Sequence, residues 1–457
     1  MKKFTKIMVC LLLCVMSVLF VACGDDRSDK EKDFTYSISG DVYGNSGLAV
    51  QKGNYVYFVN GFQTVDSMVE QNASYTLGAL MLMKLDANGN VVTNENDLLK
   101  DENYIIMSDK LCGFEATNLF IGGDYLYFTS PCQENESKEN SSDDDVWAKN
   151  RTEFYRIKLD KSGEVEKIYQ ATVSYENLEF KYYYEAGNTF VLVYEKGTNL
   201  EDSSINNALY RVDSNSKSFV EITRDVTSVA MAESASQIFY TKNENSLYKL
   251  NKYNIVSNVA SVFESREKQL TVKAVAGDYV FVASVRGEYT NLERASIVAN
   301  SGFETVKNNI SQFNDKYYVT NDGSAVVGFL TKSIKVLTSN GETEITIIDE
   351  DATNIDFIGF ANGCVVYRDN SNNIKKVSYY NAINGYEYPI ETIAKVENLN
   401  TTYFDLDEDY VYFFKTVGSN QYLHRVKLSS VYADENTEEM FGVYLEADIP
   451  EKEDVEE

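Results

Sequence analysis

A chain of 457 residues with 70 acidic against 42 basic side chains, a formal net charge of −28, lacks the cationic surface that nucleic acid or an anionic lipid face requires. Its 34 tyrosines and 24 phenylalanines, against three prolines and one tryptophan, favour many short strands over long helices. One histidine is too few for a zinc site of the usual His and Cys type, and the four cysteines beyond the N-terminal apolar run, Cys23, Cys112, Cys132 and Cys364, are too few for a disulfide framework in a chain of this length.

At the N-terminus Lys2, Lys3 and Lys6 precede an apolar run from Ile7 to Ala22 that stops at Cys23, the arrangement of an export signal with a small residue before cleavage. The run is shorter than the roughly 20 residues a bilayer span needs, and no stop-transfer pattern follows. Phe20 Val21 Ala22 Cys23 resembles the lipobox of bacterial lipoproteins, with Phe20 where leucine is usual. The resemblance implies that residues 1–22 are removed and that Cys23 becomes a lipidated N-terminus. The protein would then be held outside the cytoplasm on the cell membrane by that lipid alone. An ordinary signal peptide cut nearby is the other reading. Cleavage removes three lysines and no acid, so the mature chain carries 39 basic against 70 acidic residues, a charge of −31. Gly24 to Asp33 is charged and poor in apolar residues, as a flexible tether is, so the folded part is expected to start near Phe34.

The roughly 420 residues that follow exceed the size at which one ordinary core stops growing, and side-by-side small cores escape that limit. An aromatic segment recurs through them: Tyr55 Val56 Tyr57 Phe58, Tyr125 Leu126 Tyr127 Phe128, Phe190 Val191 Leu192 Val193, Ile238 Phe239 Tyr240, Tyr279 Val280 Phe281 Val282, Lys316 Tyr317 Tyr318 Val319, Cys364 Val365 Val366 Tyr367 and Tyr410 Val411 Tyr412 Phe413. With Tyr57, Tyr127, Val191, Phe239, Phe281, Tyr318, Val366 and Tyr412 as markers, the intervals are 70, 64, 48, 42, 37, 48 and 46. The later ones match four-stranded propeller blades of about 40 to 50 residues. In the clearest unit, Ala116–Ile121 reads as strand A, Tyr125–Ser130 as B, Glu153–Leu159 as C and Glu164–Gln170 as D. The strand C motif returns at Leu82–Asp86, Leu209–Asp213, Leu247–Asn251 and Leu423–Leu428. Its Lys or Arg residues alternate with apolar ones, as on a strand wet on one face. Asn88 Gly89, Ser162 Gly163 and Asn340 Gly341 supply the tight turns that follow. Strand B is apolar throughout, as a strand packed on both faces would be.

These repeats resemble the tyrosine-rich propeller of Gram-positive surface lipoproteins, which is similar to the propellers of low-density lipoprotein receptors. The expected fold is therefore all-β, a propeller of four-stranded blades, eight by repeat count with seven as the runner-up. The domain limits are 1–22 signal peptide, 23–33 lipidated cysteine and tether, 34–430 propeller and 431–457 acidic tail. Phe34 to Ser39 is expected to close the ring as the outer strand of the last blade, hiding a sheet edge. Met440 to Ala447 is the rival.

Three insertions between strands B and C, Asn60–Leu77, Pro131–Arg151 and Glu195–Ala208, would form one patch. The middle one carries Glu134, Glu136, Glu139, Asp143, Asp144 and Asp145 beside Trp147, an expected anchor for a cell-surface protein, peptide or glycan. The plainer reading is an acidic loop whose Trp147 tucks onto its own blade. Asp405, Asp407, Glu408 and Asp409, and Asp349, Glu350 and Asp351, are groups of a kind that holds calcium weakly, or else solvated turns. Asp86 Ala87 Asn88 Gly89 Asn90 is read as a hairpin turn. His424 is read as structural, Cys364 as core, and Cys112 with Cys132 either as a disulfide or as two buried thiols. No catalytic residue, resident metal or cofactor is assigned. The expected role is non-catalytic binding by a monomer, without nucleic acid. The alternatives are a glycoside hydrolase or lyase using carboxylates in the funnel, and an accessory factor in envelope assembly or sensing.

Overall fold

The computed structural model describes residues 38–61, 77–91, 104–112, 119–131, 151–174, 177–185, 187–199, 202–231, 236–299, 301–417, 420–430, 432 and 438–440. All strands belong to one compact unit, Ser39–Glu457. They form eight separate sheets, each a run of consecutive antiparallel strands, which make an eight-bladed propeller. Strands A to D are as follows. Blade one has Ala49–Lys52, Tyr55–Asn60, Ala79–Lys84 and Tyr104–Leu111, with Val42–Tyr43 added on the free edge of A. Blade two has Phe120–Gly122, Tyr125–Pro131, Arg151–Lys158 and Glu166–Ser174. Blade three has Leu178–Glu185, Asn188–Thr198, Ile205–Asp213 and Ser218–Thr223, and blade four Val226–Met231, Gln237–Glu244, Leu247–Asn254 and Val259–Arg266. Blade five has Leu270–Ala276, Tyr279–Arg286, Tyr289–Ser296 and Glu304–Lys307, and blade six Tyr317–Val319, Ala325–Phe329, Ser333–Thr338 and Glu344–Ile348. Blade seven has Ile355–Ala361, Cys364–Asp369, Asn373–Ser378 and Glu391–Lys395, and blade eight Leu399–Leu406, Tyr410–Val417, Asn420–Lys427 and Glu439–Met440.

The apolar B strands are buried because each faces a neighbouring blade on both sides. Phe239 and Leu250 of blade four, for example, share one cluster with Leu270, Val272, Val280 and Val282 of blade five, while Phe281 of the same B strand packs toward Val326 and Leu337 of blade six. Burial of such side chains stabilises by about 1.5–3 kcal/mol each, which makes blade-to-blade packing the bulk of the core.

Of the basic residues of strand C, Lys84 and Lys158 are exposed, but six others turn to the next blade. Arg156, Arg211, Lys252, Arg294, Lys376 and Arg425 occupy one register position, opposite Tyr127, Leu192, Phe239, Phe281, Val366 and Tyr412 of strand B. Each reaches the turn after strand C of the next blade. Arg156 donates to Asn215 Oδ1 at 3.2 Å, Arg211 to the Ile255 carbonyl at 2.7 Å, and Lys252 to the Ile297 carbonyl at 3.5 Å. Arg294 donates to Ser339 Oγ at 2.7 Å, Lys376 to the Leu428 carbonyl at 2.8 Å and Arg425 to the Gly89 carbonyl at 3.1 Å. The guanidinium groups also lie over the ring that opens strand B: Arg156 on Tyr125 at 4.3 Å, Arg211 on Phe190 at 4.6 Å, Arg294 on Tyr279 at 4.3 Å and Arg425 on Tyr410 at 3.9 Å. In blade one, where Leu82 holds this position, the Tyr57 hydroxyl donates to the Leu159 carbonyl of blade two at 2.9 Å. Blade six has Val336 there instead.

Other sequence expectations need correction. Among the described residues the outer strand of blade eight is Glu439–Met440, paired with Arg425 and His424, at the start of the rival stretch Met440 to Ala447 rather than in Phe34 to Ser39. That strand lies inside the stretch expected to be a tail. Residues 34–37 are outside the described residues, and Ser39 is not in a strand. In blade six, Tyr318 belongs to strand A, and strand B is Ala325–Phe329, which explains the short interval of 37. Glu195–Ala208 is less a loop than an extension of the blade three hairpin, because strand B runs to Thr198 and strand C starts at Ile205.

With both A and D of each terminal blade drawn from nearby sequence, no strand among the described residues is shared across the junction of blades eight and one. Side chains close it instead. The Asp405 carboxylate, from strand A of blade eight, accepts the Leu48 amide at 2.7 Å. A side chain at Gly47 would collide with that carboxylate, so glycine is what lets the two blades meet. Leu48, Val56, Phe58 and Met81 of blade one pack with Tyr412, Phe414 and Leu423 of blade eight. Although the Asp405 residue as a whole is partly exposed, its carboxyl is closed in by blade one, and burial pushes its pKa to about 6, against the pull of the Leu48 and Leu406 amides.

Two outcomes follow from these contacts. Arg425 is fully buried and also pairs with Glu439 at 2.8 Å. Arg425→Leu is expected to lower stability in urea denaturation by about 3 kcal/mol, and Arg425→Lys by less, because an ammonium keeps the charge over Tyr410 but loses the fork. For Asp405 the folded pKa lies above the unfolded one, so its contribution is complete below about pH 4 and is lost as pH rises through about 6, by at most about 3 kcal/mol. Asp405→Asn should therefore flatten the stability profile between pH 4 and 6, and its cost relative to the native chain should be larger at pH 4 than at pH 7.

Candidate functional site

Strand A of four successive blades lines one open cavity of about 410 Å³: Lys273 and Ala274 from blade five, Tyr317 to Val319 from blade six, Phe357 to Phe360 from blade seven and Phe404 to Leu406 from blade eight. This is the wall of the central channel.

Its aromatic surface has a local cause. Phe357 pairs with Tyr367 and Gly359 with Val366, so Ile358 is an extra residue, a β-bulge. The bulge makes Phe357 and Phe360 two register positions apart, which puts them on the same face of the strand. A side chain at Gly359 would strike Leu406, so glycine allows the A strands of blades seven and eight to approach. Lys273 is the extra residue of a matching bulge in blade five, between Val272 and Ala274. Across the blade junction Tyr318 stacks on Phe357 with centroids 4.0 Å apart and planes 22° apart. Phe357 meets Phe360 at 4.8 Å, and Phe360 meets Tyr379 edge-on at 5.7 Å. A chain of rings thus runs from blade six into blade seven.

Polar groups border the rings. Lys273 Nζ lies 5.3 Å from the centre of the Tyr317 ring and 3.6 Å from the exposed carboxylate of Asp315. Burial keeps the Tyr317 phenol neutral by raising its pKa. A second cavity of about 460 Å³ shares Asn321 and Phe360 with the first and adds Asp322, Asn362, Tyr379 and Tyr380. The two cavities adjoin at Asn321 and Phe360, and rings line both.

Of the two acidic groups, Asp349, Asp405 and Asp407 are engaged by protein donors. Asp405 accepts Leu48 and Leu406 amides, and Asp407 accepts the Asp409 and Tyr410 amides and the Tyr412 hydroxyl. Asp349 holds Lys375 Nζ at 2.8 Å and the Tyr367 hydroxyl at 3.0 Å, with Asp369 3.0 Å from the same ammonium. Asp86 accepts the Asn88 and Asn90 amides, as its hairpin reading requires. His424 is buried and lies parallel to Phe413, and its Nδ1 is 3.0 Å from Glu438. Against burial, which alone would raise it, His424 and Lys415 hold the Glu438 carboxyl down at about 2. Cys112 is a buried free thiol and Cys364 a half-buried one. Among the described residues no group of three or more His, Cys, Asp or Glu is placed to hold a metal ion. Cys23, Cys132, Asp143, Asp144, Asp145 and Trp147 lie outside the described residues.

Sequence reasoning did not single out the groove. Strand A has no strong repeat signature, and Tyr318 was assigned to strand B on its resemblance to the other aromatic segments. The short interval before it was the available signal.

No family model and no curated protein matches the sequence. Solved structures with a similar arrangement include the β-propeller domain of the Trilobed protease from Pyrococcus furiosus, with a TM-score of 0.44 and 12% identity over 70% of this chain and 94% of that one. Pyrococcus horikoshii acylaminoacyl peptidase gives 0.43 and 12%, over 72% of this chain and 52% of that one. TolB from Acinetobacter baumannii gives 0.31 and 11%, over 61% and 60%.

Proposed function

We propose that this chain is a lipid-anchored, extracytoplasmic propeller that binds an extended glycan or peptide without transforming it. The observation that carries the reading is the aromatic groove from Tyr318 through Phe357 and Phe360, set in a rigid channel wall and bordered by amide and phenol groups. Ligand sites combine apolar and aromatic surface with a few polar groups in this way. A hydrolase in the same channel would need a free pair of carboxylates, whereas Asp405 and Asp407 each accept two backbone amides, at a blade junction and a turn. The insertion with Asp143, Asp144, Asp145 and Trp147 is proposed as a second contact with a cell-surface partner.

Replacing Tyr318 and Phe357 together by alanine is expected to weaken retention of envelope glycans or peptides by the full chain by tenfold or more, the scale of a buried aromatic anchor. Unchanged retention, or loss only on Trp147→Ala, would move the site to the insertion. The anchor rests on the lipobox-like Phe20 to Cys23. Cys23→Ser should shift the protein from the membrane pellet to the soluble fraction and abolish labelling by a fatty-acid analogue.

A further inference from the structure

The second cavity lies where the turn between strands A and B of blade six meets the corresponding turn of blade seven and the one-turn helix Tyr379–Ile383. Among the described residues, Asp322 is its one charged lining residue. Its Oδ1 accepts the Thr320 hydroxyl at 2.7 Å, the Ser324 amide at 3.1 Å and the Ser324 hydroxyl at 2.9 Å. These bonds fix the carboxylate and leave Oδ2 without a protein donor among the described residues. They also outweigh burial and hold the carboxyl below its usual range, so the group is ionised near neutral pH. Tyr380, 54% exposed, and the half-buried Phe360 supply ring surface around it, above the buried Tyr379.

An ionised oxygen with free lone pairs beside exposed ring faces suits an organic ammonium, which gains from both the charge and the ring quadrupoles. The charge of −28 draws cations toward the protein at long range. Lys273, the cation of the groove, lines the other cavity, beyond the shared Asn321 and Phe360, so the Asp322 end carries no competing positive side chain.

We propose that this cavity is a subsite for a primary ammonium carried on a sugar ring, an amino-sugar unit of the ligand that occupies the channel groove. The proposal rests on the channel reading above and narrows it to a glycan. A cavity of about 460 Å³ is broad enough for a ring and its substituents, and an ammonium attached directly to that ring reaches Asp322 while the ring face lies on Phe360 or Tyr380. A lysine side chain, by contrast, would fill such a space poorly.

Calorimetric titration of the full chain at pH 6 with a β-1,4-linked glucosamine tetramer and with its fully N-acetylated counterpart tests this directly. The amine tetramer is expected to bind at least tenfold more tightly. Asp322→Asn, whose amide oxygen still accepts the Thr320 and Ser324 bonds, is expected to remove that preference while leaving the acetylated tetramer unchanged. Equal affinities in the native protein, or a preference that survives Asp322→Asn, overturns the subsite and leaves the channel reading standing. Binding of neither tetramer, or of a trilysine peptide in place of the amine tetramer, also overturns it. The channel reading itself stands or falls on the Tyr318 and Phe357 double variant.

Discussion

The propeller depends on the way each blade is fastened to the next. Burial of the B strands supplies most of the energy, but apolar packing has little orientational preference. A cation from strand C, held over the ring that opens its own strand B and donating to the next blade's turn, sets the angle and spacing at the same place in successive blades. Arg156, Arg211, Arg294 and Arg425 show the full device, and Lys252 and Lys376 the donor half of it. Because these groups are largely desolvated, the carbonyls and hydroxyls they reach must be correctly placed, which gives the ring a register as well as cohesion.

Fastening the blades on their B and C strands leaves strand A, except in blade one, with a free inner edge among the described residues. That freedom shows in the bulges of blades five and seven, where Lys273 and Ile358 are extra residues. One consequence is a channel wall whose side chains are decoupled from the repeat. Tyr318, Phe357 and Phe360 interact with each other across a blade boundary, as Phe120 of blade two and Tyr182 of blade three also do. The junction of blades eight and one adds to the Arg425 contact a buried carboxylate, Asp405, set against Gly47.

The repeat was legible in sequence because blade contacts demand it: the paired aromatics of strand B and the basic residue of strand C recur where the cation device recurs. What that basic residue does was not legible. Alternation of Lys or Arg with apolar residues is the same pattern whether the polar side meets water or the next blade, and only the buried Arg156 and Arg425 settle it. The closing strand was misjudged because Glu439–Met440 is short and lies in acidic sequence, so its pairing owes more to Arg425 and Glu438 than to strand propensity. The groove was hidden for a related reason. A bulge shifts the facing of every residue beyond it, and period-two reasoning places Phe357 and Phe360 on opposite faces.

The central claim is that the channel wall of blades six and seven, rather than the acidic insertion after Pro131, meets the ligand. Hydrogen–deuterium exchange of the full chain, with and without the soluble oligosaccharide fraction released from cell envelopes, tests it most directly. The account predicts slowed exchange at Tyr317–Asn321 and Phe357–Gly363. Protection confined to residues 131–151, or none at all, would contradict it.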